Sequence, residues 1–242
     1  MYCVIYLLSQ CFCFFAGTNM KIKTVLARAI SVILHPMFTI GYVMAFLILA
    51  NPYLFGFSGE KAEGLIIISV LTISVMFPLI AIVMMNALGL ISSLQMSDKK
   101  ERIGPLIVTG IFYMWLYVNV RNNDNIPAAL SFFILGSTIS VFLALMINSF
   151  SKISLHTIAA GGLLTGMLFI IFNFTYGFAD IPLIGTGIQL RMSDRFIFII
   201  ILILAGLTGT ARLYLKAHTE DEIYGGYIVG ILAQMIAFRI FF

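Results

Sequence analysis

The chain has 242 residues, of which 61% are hydrophobic and only 10% are charged, and its formal net charge is +4. Soluble domains carry about 25% charged residues, so the composition excludes an ordinary soluble protein and indicates a polytopic membrane protein. The sequence has no basic stripe or run of Lys and Arg, so we expect no nucleic-acid partner. All three cysteines lie within the first 13 residues, which argues against a disulfide framework or a cysteine metal site.

Residues 1–19 carry no charged side chain, and the first lysines follow at Lys21 and Lys23. This stretch lacks the basic start of a signal peptide. We interpret it as an over-extended reading frame or an extra hydrophobic segment. Residues 20–242 are predicted to form a single transmembrane domain.

Long segments without Asp, Glu, Lys or Arg follow one another along the rest of the chain. A membrane-spanning helix needs about 20 largely apolar residues, and Pro, Gly and Asn mark where the segments end. The pattern predicts an all-α, polytopic transmembrane helical bundle of about six to seven spans. The predicted helices are 27–50, 64–89, 104–121, 127–149, 155–177, 195–217 and 222–241.

Three connections, 90–103, 150–154 and 218–221, are each separated by two predicted helices, so they open on the same membrane face. Ionisable groups among apolar spans are costly and indicate a functional site by default. The candidate site residues lie in or beside these three connections. They are Lys99, Lys100, Arg102, Ser154, His156, Arg212, His218 and Glu222.

The chemistry of these side chains suits phosphate. His218 and Glu222 are four residues apart and would share one face if the helix continues. A carboxylate beside an imidazole fixes its tautomer and supports a positive ring. Arg212 offers a fork of donors for phosphate oxygens, and His156 opens the fifth helix, where free N–H groups favour an anion. The set indicates phosphoryl transfer, in which positioning and charge stabilisation do most of the work.

The spacing of these residues resembles the type 2 phosphatidic acid phosphatase superfamily, which includes vanadium haloperoxidases. The third motif of that family is Ser-Arg, five residues, His, three residues and Asp. The corresponding residues here have the same spacing and are Ala211, Arg212, His218 and Glu222. Small residues that look like those of the family's following helix are Gly225, Gly226 and Gly230.

The other two family motifs are matched less closely. The second, Pro-Ser-Gly-His, corresponds to Ile-Ser-Leu-His at 153–156. The first, Lys, six residues and Arg-Pro, has a loose counterpart in the loop that holds Lys99, Lys100, Arg102 and Pro105. The resemblance covers roughly residues 90–235.

The resemblance implies roles for the candidate residues. His218 would attack phosphorus and form a phosphohistidine, Glu222 would orient His218, and His156 would protonate the leaving group and then activate water. The family's phosphatases need no metal, and we expect no cofactor. Phosphate oxygens would be bound by Arg212, Lys99, Lys100, Arg102 and Ser154.

We therefore expect a metal-independent lipid phosphatase that is integral to a membrane, the bacterial cytoplasmic (inner) membrane. Its substrate would be a lipid phosphate monoester or pyrophosphate, and its surroundings membrane lipids. Phosphatidic acid, phosphatidylglycerol phosphate, polyprenyl pyrophosphate and lipid A are the candidates. The sequence leaves the oligomeric state and the membrane face of the site open.

Two alternatives remain at this stage. Ala211 replaces the family's Ser, Leu155 its Gly and Glu222 its Asp, so the chain could be a catalytically weak or inactive relative that binds lipid phosphates. A small membrane transporter is the second alternative. The His35-Pro36 pair matches no motif, and we interpret His35 as structural.

Overall fold

The computed structural model of the protein describes residues 20–50, 54–55, 60–96, 98–175, 177–182 and 189–242. The segment 1–19, whose origin the sequence left open, lies outside the described residues. Within these described ranges, seven helical segments are long and apolar enough to cross a membrane. The predicted all-α polytopic bundle is therefore confirmed, and the protein is an integral membrane protein. The helices are α1 Met20–Ile33, α2 Thr39–Ala50, α3 Glu60–Leu71, α4 Phe77–Ala87, α5 Ile103–Arg121, α6 Ala128–Phe150, α7 Leu155–Phe174, α8 Asp194–Tyr214 and α9 Glu220–Phe241.

The first span is broken near its middle. α1 ends at Ile33, a short 3₁₀ turn covers Pro36–Phe38, and α2 continues the span. The break follows from Pro36, because a proline pushes the residue before it out of the helical region; His35 is extended, with φ −68° and ψ 139°. The break places a histidine side chain within an otherwise apolar segment.

The second span is continuous but contains one wide turn. A π-helical turn, Thr72–Met76, joins α3 to α4. Pro78 lies just after it, in the first turn of α4. A proline lacks an N–H and its ring clashes with the carbonyl four residues earlier, and a π turn is one way in which a helix accommodates that disruption.

α7 and α9 run parallel and pack closely through small residues. A Cβ at Gly161 would lie 2.6 Å from the carbonyl oxygen of Tyr227, and a Cβ at Gly230 would collide with the carbonyl oxygen of Ile158. Small residues allow helix backbones to approach in a membrane. This packing brings the first turns of α7 and α9, and therefore His156 and Glu222, to the same end of the bundle.

The opposite end of the bundle is packed with aromatic rings. Phe169 of α7 stacks on Phe238 of α9 with ring centroids 4.2 Å apart, and Phe132 of α6 packs edge-on against both. Phe132 is fully buried. The bundle therefore has one end built from aromatic side chains and another that carries the polar connections.

The connection between α7 and α8 contains a two-stranded antiparallel ribbon that the sequence did not predict. Strands β1 Phe178–Pro182 and β2 Gln189–Ser193 pair in register, with Asp180 opposite Arg191. The Asp180 carboxylate accepts from Arg191 Nε at 2.9 Å. This hydrogen bond lowers the pKa of the exposed Asp180 and raises that of Arg191.

The three connections predicted to share a face contact one another. Arg102 Nη1 donates to the carbonyl oxygen of Ile153 at 3.0 Å, and Lys152 Nζ donates to that of Ala217 at 3.3 Å. The backbone N–H of Ser154 donates to the carbonyl oxygen of Glu222 at 3.2 Å. Their convergence is therefore confirmed, and these contacts frame the candidate site.

Candidate functional site

A cavity of about 970 Å³ lies where the three connections meet the bundle. Among the described residues, no Asp or Glu lines it. The cationic side chains that line it are Arg28, Arg102, Lys152, Arg212 and Lys216. A concave site with several cations and no lining carboxylate favours an anionic ligand.

His218 lines this cavity and is held by Glu222. The Nδ1 of His218 lies 2.6 Å from Oε2 of Glu222, and the His218 side chain is only 2% exposed. A carboxylate accepts, so Nδ1 carries the proton and Nε2 keeps its lone pair. A short, charge-assisted hydrogen bond of this kind orients the ring and leaves Nε2 as the nitrogen with a free lone pair.

The backbone that holds this pair differs from the continuous helix on which the sequence argument relied. α8 ends at Tyr214 and α9 begins at Glu220, so His218 lies in the turn between them. Lys216 has a left-handed φ of 51° in this turn. Thr219 is the N-cap of α9, and its hydroxyl accepts from the N–H of Glu222 at 3.5 Å. The Glu222 side chain, at the third helical position, reaches back past the cap to His218.

Burial and nearby charges set the protonation of His218. Burial lowers its pKa from the ordinary value of 6.5, the hydrogen bond to Glu222 opposes that change, and the positive charge of Arg102 lowers the pKa further. The imidazole is therefore neutral at neutral pH. A neutral ring with a free Nε2 is the form that a nucleophile requires.

Two of the three arginines that line the cavity, Arg102 and Arg212, differ in their hydrogen bonds. Arg102 is 7% exposed. Its Nε donates to the carbonyl oxygen of Met96 at 2.9 Å, in addition to the contact with the carbonyl of Ile153. Burial lowers the pKa of Arg102 and the charge of Glu222 raises it; the ordinary arginine pKa is so high that the group stays charged.

Arg212 is bound less tightly. Its Nε is buried and has no hydrogen-bond partner among the residues that the structure describes. Buried donors are nearly always satisfied, and an unsatisfied one costs about 1–3 kcal/mol. A guanidinium that lines a basic cavity with an unused donor is suited to an anion.

His156 lies in the first turn of α7 and also lines the cavity. Its Nε2 lies 3.1 Å from the carbonyl oxygen of Ser31 in α1. Because a carbonyl only accepts, the proton of the neutral ring is on Nε2 and the free nitrogen is Nδ1. The first span therefore fixes the orientation of a candidate acid and base.

The remaining predicted residues lie outside the cavity lining. The Lys99 Nζ donates to the carbonyl oxygen of Phe150 at 3.1 Å, and the Lys100 side chain is exposed. Ser154 is fully buried, and its hydroxyl has no partner within the described part of the chain. The structure therefore brings together His156, Arg102, Arg212, His218 and Glu222, and it places Lys99, Lys100 and the Ser154 hydroxyl elsewhere.

Several lining residues were not predicted from the sequence. His35, interpreted as structural, lines the cavity with its ring centroid 5.2 Å from that of His156. Arg28 and Lys216 also line the cavity and add positive charge. The one sequence signal for His35 was the His-Pro pair within an apolar segment. Charge and motif spacing indicated a site only in later parts of the chain.

The cavity continues from the charged groups into the bundle. On α7 its lining extends from Leu155 to Leu163, a rise of about 12 Å. Its inner walls combine apolar side chains with hydroxyl groups; the apolar ones include Leu106, Phe133 and Leu163, and the hydroxyl groups are those of Thr109, Tyr113, Ser137 and Ser140. The site therefore has a cationic outer part and an uncharged inner part.

No model of a known protein family matches this chain, and neither a curated protein nor a solved structure is significantly similar to it. Within the described ranges, no cluster of three His, Cys, Asp or Glu side chains could hold a metal ion. The fold and the cavity define an integral membrane protein with a basic, histidine-containing site at one end of a helical bundle.

Proposed function

We propose that the protein is a lipid phosphatase of the bacterial cytoplasmic membrane, related in mechanism to the type 2 phosphatidic acid phosphatases. The observation that carries the proposal is the buried 2.6 Å contact between His218 and Glu222 in a cavity lined by cations. Helical bundles, unlike β-barrels, are typical of inner rather than outer bacterial membranes. The substrate is a phosphate monoester or pyrophosphate of a lipid.

The proposed reaction has two steps. In the first, Nε2 of His218 attacks phosphorus, the bond from phosphorus to the leaving oxygen breaks, and that oxygen takes a proton from Nδ1 of a protonated His156. In the second, the neutral His156 takes a proton from water while the water oxygen attacks phosphorus. The phosphorus–nitrogen bond then breaks, and inorganic phosphate leaves with both histidines restored.

The other residues stabilise charge. Glu222 supports the positive ring that His218 acquires when it is phosphorylated. Arg212 and the unused N–H groups of Arg102 bind the equatorial oxygens of the transferring phosphoryl group. Lys152 adds positive charge, although its Nζ also donates to the carbonyl oxygen of Ala217.

The shape of the cavity supports a lipid rather than a soluble phosphate ester. A phosphate would bind at the cationic end, and the first part of an apolar chain would occupy the inner walls near Phe133 and Leu163. An uncharged wall of apolar side chains with some placed hydroxyl groups is typical of ligand sites, and beside a cationic end it fits a ligand with a charged head and an apolar chain. The aromatic packing at the opposite end of the bundle argues against the transporter alternative.

The test is phosphate release by purified, detergent-solubilised protein. The substrates would be phosphatidic acid, phosphatidylglycerol phosphate, a polyprenyl pyrophosphate and lipid A, each with EDTA present. The proposal predicts release from at least one of them, and its loss in His218→Ala and in His156→Ala.

The outcomes separate the alternatives. Release by wild-type protein that persists in His218→Ala would contradict the phosphohistidine mechanism. If no substrate is hydrolysed but lipid phosphates still bind, the protein is the catalytically weak relative to which Leu155 and Ala211 point. Lys100→Gln, at an exposed lysine outside the cavity lining, is the matched control and should behave as wild type.

A further inference from the structure

All three histidines of the chain line the same cavity. His218 and His156 have roles in the proposed reaction, whereas His35 has none. His35 comes from the broken part of the first span, far from the other two in sequence. His35 lies beside His156 and is the one histidine of the cavity lining that has no role in the proposed reaction.

The backbone around His35 fixes the tautomer of its ring. The Nδ1 accepts from the backbone N–H of Met37 at 3.4 Å, a long contact that caps the 3₁₀ turn. A nitrogen that accepts carries no proton, so the proton of the neutral ring is on Nε2. Among the described residues, that N–H has no hydrogen-bond partner, and the side chain faces the cavity.

The neighbouring ring has the complementary arrangement. His156 uses Nε2–H on the carbonyl oxygen of Ser31 and keeps Nδ1 free. The planes of the two rings are nearly perpendicular, at 87°. In their neutral forms, His156 offers the cavity an acceptor and His35 offers it a donor.

We propose that His35 is a third substrate-binding histidine, which donates a hydrogen bond from Nε2–H to a phosphate oxygen of the ligand. This inference rests on the proposed phosphate site. No proton is transferred in this contact. Its effect is to hold the phosphoryl group beside His156, whose Nδ1 donates the proton in the first step of the proposed reaction.

Two amide variants, His35→Asn and His35→Gln, distinguish ligand binding by His35 from a purely structural role, because the two roles predict opposite rankings of their activity. The side-chain oxygen of Asn lies near the position of Nδ1, and Asn is a favoured capping residue; His35→Asn therefore keeps the cap but removes the donor. The amide nitrogen of Gln lies near the position of Nε2, so His35→Gln keeps a donor but loses the cap. The ranking of the two variants distinguishes the two roles.

We expect His35→Asn to lower kcat/KM by about 10- to 150-fold, the range for loss of a hydrogen bond to a charged group. His35→Gln should retain most of the activity and be the less thermally stable of the two. A His35→Asn protein with wild-type kcat/KM, or with more activity than His35→Gln, would overturn the inference.

Binding of inorganic phosphate tests the same contact without turnover. Phosphate should raise the melting temperature of wild-type protein and of His35→Gln, and should raise that of His35→Asn much less. If wild-type protein releases no phosphate from any lipid but shows this pattern, the proposed function fails and the His35 contact stands. An equal rise in His35→Asn, or no rise in wild-type protein, overturns it.

Discussion

Replacing Glu222 with Gln tests the pair at the centre of the site. The substitution keeps the size of the side chain and an oxygen that can accept from Nδ1 of His218, and it removes the charge. The contact is 2.6 Å long, with the two side chains 2% and 18% exposed. Solvent therefore screens little of the interaction.

The magnitude follows from the hydrogen bond. A hydrogen bond to a charged group contributes about 1.5–3 kcal/mol, and about 1.36 kcal/mol corresponds to a tenfold change in rate. We expect Glu222→Gln to lower kcat/KM by about 10- to 150-fold on this basis. The loss should fall on kcat more than on KM, because the carboxylate is needed most when the ring becomes positive.

The assay is phosphate release from the best lipid of the panel, at several substrate concentrations. Glu220→Gln is the matched control, because it removes the same charge from the same turn of α9 at an exposed side chain. It should stay within about 2-fold of wild type, as surface substitutions usually do. A folded Glu222→Gln protein that is as active as Glu220→Gln would show that the charge of Glu222 does not assist His218.

Three further predictions concern pH, the cavity lining and helix packing. The lowered pKa of His218 means that the unfolded state binds more protons below the ordinary value of 6.5. The melting temperature should therefore fall as pH drops from about 7 to about 5, and fall less in His218→Asn. Arg102→Gln should reduce kcat/KM by about 100-fold, because it removes two loop contacts and a cationic lining group, whereas Lys100→Gln should change it by less than about 2-fold. Gly226→Ala should destabilise the protein by about 1–3 kcal/mol, measured by thermal unfolding, because its Cβ would collide with α7, while Gly225→Ala, with 3.9 Å of clearance, should be tolerated.

The spans were predictable because length and charge decide which segments can cross a membrane. The predictions of secondary structure were wrong at the start of α1 and in the connection between α7 and α8. α1 begins at Met20 rather than at residue 27, since Lys21 and Lys23 end an apolar segment without ending a helix. The ribbon of β1 and β2 was missed, because its pairing depends on register between two short strands.

The candidate site was predictable where spacing along the chain carries the information. The approach of His156 to His218 on one face follows from the parity of the spans. The contact of His218 with Glu222 was predicted for a continuous helix, whereas it forms between the turn and the start of α9. The direction of a loop side chain does not follow from spacing or from parity. Lys99 and Arg102 are three residues apart, yet one contacts the end of α6 and the other lines the cavity.

The placement of His35 could not be read from the sequence for a related reason. It depends on how the broken first span packs against α7. In that packing, His156 contacts the carbonyl oxygen of Ser31 and the ring of His35. Contacts between the beginning and the middle of a chain are tertiary. A pattern of residue types along one segment contains no information on them.

Detection of phosphate on His218 shows whether this histidine is the nucleophile. Wild-type protein would be mixed with a lipid substrate carrying labelled phosphate, quenched in alkali within one turnover, and digested for mass spectrometry. The account predicts phosphate on the His218 side chain, with the lability to acid and stability to alkali expected of a phosphorus–nitrogen bond. Release of phosphate with no label at His218, or with label on another residue, would contradict it.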